Sequence, residues 1–298
     1  HILDAPCGNR TLREILFSIV NGYIRGTPNG IRADADTGLV FSPSHFTWMD
    51  TNYPAATPRE GYPVEIQSLW YASLAFLGRI QPPAGTDAKT ILDYAGMART
   101  VAAAVVRYFY HKDNAFLSDC LHCSPGVAPG NAIPDDALRP NQLFSVTMGL
   151  VSDPAMGKNI LAACSQLLVP GGIRSLADRY VDYPVRILHD GQMIGDPHRP
   201  YRGRYLGSED SLRKPAYHNG TAWTWVFPSF CEAWHMVYGE KGRDAALAWL
   251  YSSTLLINEG CLGHIPEILD GDYPHVQRGC DAQAWSASEL YRVFSLLQ

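Results

Sequence analysis

Two neighbouring stretches decide the fold: PVEIQSLWYASLAFLGR at residues 63–79 and ILDYAGMARTVAAAVVRYF at residues 91–109. In the first, Ile66, Leu69, Trp70, Leu74 and Leu77 recur three and four residues apart, the spacing that gathers side chains on one face of an α-helix. In the second, Ile91, Ala95, Ala98, Ala102, Val105 and Phe109 do the same, with Thr86-Asp87 placed to cap the helix. Working outward, the same period returns at about 10–23, 139–151, 154–168, 216–238, 242–258 and 282–297, which makes eight helices. No convincing alternation longer than four residues marks a strand. The connecting loops 24–62, 111–138, 169–215 and 259–281 are long and rich in Gly, Pro, His, Asp and Tyr. The expectation is an all-α scaffold with a site built on loops at one rim. No repeat, low-complexity tract or linker divides the chain, so residues 1–298 read as one domain.

Composition narrows the function. A chain of 298 residues buries roughly three-quarters of its unfolded surface, enough for a large core. A net charge of −5 gives no electrostatic reason to expect nucleic acid or an anionic membrane as partner. Apolar runs break within about a dozen residues, short of the ~20 that a spanning helix needs. The opening HILDAPCGNRTLREIL is not a basic-then-apolar leader and does not start with Met. Seven scattered cysteines, an odd number, fit reduced thiols and a cytoplasmic protein. Charged residues are sparse at 18%, whereas Trp, Tyr and Phe are plentiful at 7, 16 and 10. Such rings fill a core, and they also stack on flat apolar ligand faces.

The loops carry clustered polar motifs: Thr47-Trp48-Met49-Asp50, then Thr57-Pro58-Arg59 and Glu65 at a helix start; Asp135-Asp136 leading to Arg139-Pro140-Asn141-Gln142; Tyr217-His218-Asn219-Gly220 ahead of Trp223 and Trp225; and Pro266-Glu267, followed by Gln283 and Trp285. Carboxylates, planar amides, Arg, His and Trp at helix ends are the mixture that sugar recognition requires. Carboxylates and amides bind hydroxyl pairs, and rings cover C–H faces. Cleaving a glycosidic bond by the usual route needs two carboxyl groups. A phosphate loop and a G-x-S-x-G elbow are both missing from the sequence. Cys120-Leu121-His122-Cys123 has no second C-x-x-C or H-x₃-H to complete a zinc site, so neither a metal nor a cofactor is expected.

Each residue also has a structural reading. Asp50 could cap a turn, Glu267 could be a surface carboxylate, and Glu65 could only complement a helix dipole. Asp136 and Arg139 could pair with each other or form a subsite with Asn141 and Gln142. His218 could bind a hydroxyl or brace its loop. Of Trp223, Trp225 and Trp285, at least one is expected to stack on sugar.

Together TWMD, TPREGYPVEIQSLWYASL, DALRPNQLFSV, GIRSLA, YHNGTAWTW and IPEILDGDYPHVQRGCDAQAWSASEL resemble the glycogen-debranching family, in its amylo-α-1,6-glucosidase domain of bacterial and archaeal type. The resemblance runs in order along nearly the whole chain. It implies an (α/α)₆ barrel of the glucoamylase-like six-hairpin type, and inverting hydrolysis of the α-1,6-linked branch-point glucose of glycogen or limit dextrin. It also implies Asp50 as general acid and Glu267 as general base. Trp48, Arg59, Glu65, Asp136, Arg139, Asn141, Gln142, Tyr217, His218, Asn219, Trp223, Gln283 and Trp285 are then the expected substrate-binding residues. Trp48 and Met49 supply apolar surface that would favour a neutral, proton-bearing Asp50. The inverting route predicts the two carboxyl groups across one cleft, roughly 6.5–9.5 Å apart.

One departure stands out. Twelve helices make such a barrel and eight are read here, and the W-G-R-D motif that normally precedes the TWMD loop in this family does not occur. The expectation is therefore a barrel incomplete on its N-terminal side, completed by a further segment or a second chain. The alternatives are another α-glucosidase of a related helical-barrel clan, or a glucan-binding fragment without catalysis.

Overall fold

A computed structural model describes residues 2–52 and 57–298; residues 53–56, within the first long loop, lie outside the described residues. Each of the eight helical stretches contains a helix. Helix α1 (Leu12–Arg25) starts at a reciprocal capping box between Thr11 and Glu14. Helix α2 (Val64–Leu77) packs on α3 (Tyr94–Phe109). Helix α4 (Leu143–Thr147) follows a 3₁₀ turn opened by Pro140, and α5 (Pro154–Ser165) starts at an Asp153 cap. After α6 (Asp210–Tyr217) come α7 (Phe227–Tyr238), α8 (Glu240–Leu250), the single turn α9 (Thr254–Ile257) and α10 (Ala284–Leu297).

Helices α2, α4, α7 and α10 touch in succession, with α3, α5 and α8 packed behind them, so the layers form an arc of helix on helix. One hydrophobic core runs through this arc from Phe17 to Leu297. Hydroxyls join α2 to α4 (Ser68 to Ser145, 2.9 Å), and Arg292 joins α10 to α7 through Glu232 at 2.6 Å. The N-terminal ends of α2, α4, α7 and α10 carry Glu65, Gln142, Trp225 and Gln283 or lie beside them. This is how residues scattered through the sequence come to one rim. The two ends of the arc keep apolar side chains exposed: Ile19, Leu69 and Phe76 on α1 and α2, Tyr291 and Leu296 on α10.

The structure corrects several local expectations. Helix α3 begins at Tyr94, capped by Asp93, whose carboxylate accepts from the Gly96 N–H; Asp87 instead accepts from Lys89 in a separate 3₁₀ turn, and Ile91 is exposed. On α2, Leu69 is 47% exposed, whereas Glu65, Gln67 and Ser68 are buried. The helix buries a polar stripe because Glu65 meets Arg59, Gln67 meets the Val40 backbone and Ser68 meets Ser145, pairings that apolar periodicity alone cannot register. Helix α6 lies at the end of the stretch read as loop 169–215. The stretch 216–238 is not one helix: α6 ends at Tyr217, Ala222–Trp223 is a strand, and α7 takes up 227–238.

That strand belongs to an antiparallel five-stranded sheet ordered Leu168–Val169, Gly172–Arg174, Ala222–Trp223, Ile268–Leu269, Gln277–Arg278. Its strands of two or three residues are too short to leave an alternating pattern in the sequence. The pairing of Trp223 with Ile268 sets Glu267 beside Thr224. A second sheet pairs Gly61–Pro63 with Cys120–His122 and the latter with Ile133–Pro134, which brings Arg59, Asp119 and Asp135 together. Gly61 is obligatory there: its φ is +131°, and a β-carbon would lie 2.0 Å from the Leu121 carbonyl oxygen.

Candidate active site

The loop Thr47–Thr51 is fixed on every side but one. Arg59 is buried and uses its whole guanidinium. It donates to both Glu65 oxygens at 2.5 and 2.7 Å, to the Asp119 carboxylate at 2.6 Å and carbonyl at 3.2 Å, and to the Thr47 hydroxyl at 3.1 Å. Burial opposes its charge, but Asp119 and Glu65 outweigh burial and hold it firmly protonated. Asn141 donates to Asp119 at 2.8 Å and accepts from the Trp48 indole at 2.8 Å. Arg139 is also buried, which pulls its pKa down against the attraction of Asp119. It donates to the carbonyls of Ser175 and His218 and to the Asn219 side chain. The Met49 sulfur lies against Arg139 and Asn141. Thr51 pairs with His218 Nδ1 at 2.7 Å. Asp50 alone points out, exposed, and among the described residues no group donates a hydrogen bond to it.

Glu267 is held by its own carboxylate. The Tyr217 hydroxyl donates to Oε1 at 2.5 Å, the Gln283 amide to Oε1 at 3.3 Å and the Cys280 N–H to Oε2 at 3.0 Å. All three groups are donors, so they orient the carboxyl through its own oxygens. Tyr217 joins the two loops electrostatically: burial raises its pKa first, then the Glu267 hydrogen bond and charge, and finally the charges of Tyr205 and Asp50. Asp50 and Glu267 thus act on one phenol.

Between them stands an aromatic cluster. Trp48 sits edge-on to Trp223, Trp225 and His218 at 5.0, 5.2 and 5.4 Å, and Trp225 stacks on Trp285 at 4.6 Å. The indole N–H groups of Trp225 and Trp285 are buried without a partner. His218 is wholly enclosed and stacks on Trp223; burial, then Arg139 and Arg59, push its pKa far down, so it is neutral.

These positions separate the expected substrate-binding residues into two groups. Trp48, Tyr217, Gln283 and Trp285 are partly accessible around Asp50 and Glu267. Arg59, Glu65, Arg139, Asn141, Gln142, His218, Asn219 and Trp223 are buried, and their hydrogen bonds run to protein groups. In this structure those bonds brace the loops, and His218 Nε2 is buried with no partner among the described residues. Asp136 does not pair with Arg139 either: its carboxylate accepts from the N–H groups of Asp182 and Tyr183 and organises that loop. Met49 turns inward, so it does not supply the apolar cover expected over Asp50.

Three contributors were not singled out for the site by the sequence. Asp119, the centre of the buried network, lies outside the polar motifs, one residue before Cys120. Thr51 is one step beyond TWMD. The Cys280 contribution is a backbone N–H, which no residue type signals. The Cys120–Cys123 segment is a sheet strand whose side chains are engaged otherwise: His122 pairs with Asp135 at 2.9 Å, Cys120 is buried, and burial pushes the Cys123 thiol up to about 11.

A protein-family model described as amylo-alpha-1,6-glucosidase matches residues 5–292. No curated protein sequence matches the chain. Among solved structures, the fold is similar to that of the neutral trehalase Nth1 from Saccharomyces cerevisiae, with a TM-score of 0.50 and 13% identity. That likeness covers 78% of this chain and 38% of the trehalase chain, so the chain spans well under half the length of that structure. The described helices are thus an arc of an α/α barrel of the six-hairpin glycosidase type. Among the described residues, no helix is long and apolar enough to cross a membrane.

Proposed function

Because this chain belongs to the amylo-alpha-1,6-glucosidase family, a family of glycoside hydrolases, we propose that it releases glucose from the α-1,6 branch points of glycogen or a limit dextrin in the cytoplasm. The observation that carries this reading is Glu267, whose carboxylate accepts from the Tyr217 hydroxyl, the Gln283 amide and the Cys280 N–H, on a sheet joined to the Asp50 loop through the Trp48–Trp223 contact. In an inverting displacement, Asp50 as general acid gives its proton to the glycosidic oxygen as the C1–O bond breaks. Glu267 as general base takes a proton from the water whose oxygen bonds to C1 from the opposite face. The products are β-glucose and the debranched chain.

The hydrogen bonding favours this division of labour. Three donors orient the Glu267 carboxyl through its own oxygens. Asp50 is exposed and receives no such donor among the described residues, so its carboxyl oxygens are open to a glycosidic oxygen. Trp48 and Trp285 supply ring surface beside them. The exposed apolar ends of the arc, at Leu69 and Phe76 and at Leu296, are where a further segment or second chain would pack to complete the barrel.

Glucose release from a branched limit dextrin tests the reading, with the anomer formed first followed by NMR. We expect β-glucose from the wild-type chain, and losses of roughly 10²- to 10⁴-fold in Asp50→Asn and Glu267→Gln. Activity that survives both substitutions rejects the carboxylate roles. Binding of dextrin without hydrolysis supports the non-catalytic alternative.

A further inference from the structure

We propose that Tyr217-His218 is a spacer that sets the distance between the two carboxylates, with His218 a positioning residue acting on Asp50 through Thr51. The inference rests on the assignment of Asp50 and Glu267 above. Adjacent residues in the chain, with Cα atoms 3.8 Å apart, cannot drift relative to one another. Tyr217 grips Glu267 at 2.5 Å, and His218 grips Thr51, the residue next to Asp50, at 2.7 Å. The dipeptide is itself immobilised. Arg139 donates to the His218 carbonyl, Asn219 donates to Thr57 at 3.1 Å, and the Tyr217 carbonyl accepts from the Trp223 indole at 2.9 Å. The His218 ring is fully enclosed between Trp223 and Trp48, and its Nε2 has no partner among the described residues. The side-chain hydrogen bond of this histidine goes to Thr51. It fixes where the proton donor stands.

The test uses Thr51→Val, which keeps the shape and removes the hydroxyl, beside Thr51→Ser, which restores it. His218→Asn places an amide where Nδ1 was and serves as a second conservative variant. We expect Thr51→Val to lower kcat by roughly 10- to 100-fold with KM within twofold of wild type, since misplacing a reacting group by about 1 Å costs up to 100-fold. Thr51→Ser and His218→Asn should recover most of that loss. A wild-type kcat in Thr51→Val, with Asp50→Asn inactive, overturns the spacer and leaves the catalytic assignment standing. Equal activity in Asp50→Asn and wild type rejects the assignment itself. Crystal structures of wild type and Thr51→Val decide the geometry without any activity. A changed Asp50–Glu267 carboxyl separation supports the spacer, and an unchanged one overturns it.

Discussion

The two carboxylates are presented in opposite ways. Glu267 is gripped directly, by a phenol, an amide and a backbone N–H on its own oxygens. Asp50 is left alone, and the residues before and after it are fixed instead: Thr47 by Arg59, Trp48 by Asn141, Met49 against Arg139, Thr51 by His218. Direct donors orient a carboxylate through its own oxygens. Fixing the neighbours orients it while leaving its oxygens free of protein donors. The same requirement for precise placement is met by two routes. The costs differ as well. The Asp50 side relies on two buried arginines and two buried carboxylates, whereas the Glu267 side uses neutral hydrogen bonds at a half-open surface.

The largest expected effect tests that asymmetry. Arg59→Met leaves Glu65 and Asp119 buried with only Arg139 to share, and breaking a buried pair costs about 3–5 kcal/mol. Urea denaturation should show a loss of that size. A change below about 1 kcal/mol would mean that solvent reaches the network and that the Asp50 loop is not anchored by charge. On the other side, Gly279→Ala should act mainly on function. Gly279 has φ +70°, and a β-carbon there would lie 2.3 Å from Glu267 Oε2. Strain in the left-handed region costs about 1–2 kcal/mol, and the displaced carboxylate should lower kcat by about 100-fold. Wild-type turnover in Gly279→Ala would show that Glu267 does not need its observed position.

How much of this was legible follows the same division. The helices of the arc were visible because apolar residues at a 3.6 period record which face is buried, and Trp70, Leu74 and Leu77 obey that rule. Leu69 does not, since α2 buries Glu65, Gln67 and Ser68 on another face, and a polar stripe buried against hydrogen-bonding partners resembles one facing water. The candidate residues were found as motifs, but motifs do not separate contact from support. Arg139, Asn141 and His218 have the chemistry of a sugar subsite, and only their burial and their hydrogen bonds to protein groups show them bracing a loop. The five-stranded sheet that delivers Glu267 left no trace in the sequence, because Ala222–Trp223 and Ile268–Leu269 are too short to alternate.

The smallest effect is a pH dependence confined to the Asp50 side. Burial, reinforced by Arg139 and Arg59, keeps His218 neutral in the folded protein to well below its ordinary value of 6.5. In the unfolded chain the same imidazole takes up a proton near that value. Below pH 6.5 the unfolded state therefore binds more protons than the folded state, and stability falls as the pH falls. One such histidine gives a slope of at most about 1.4 kcal/mol per pH unit, continuing down to its folded pKa. His45 adds a part in the same direction, because burial lowers its pKa too, against its hydrogen bond with Thr51 and the charge of Asp50. The difference between wild-type and His218→Asn stability from pH 7 to pH 5 isolates the His218 share. Parallel curves would mean that the imidazole is solvated and pins nothing. The Glu267 side has no matching sensitivity through its phenol, since Tyr217, its pKa raised by burial and by Glu267, keeps its proton throughout this range. Acid should therefore lower the stability of the fold as a whole through His218, while in the molecules that remain folded the neutral imidazole still holds Thr51 and the Tyr217 hydroxyl still holds Glu267.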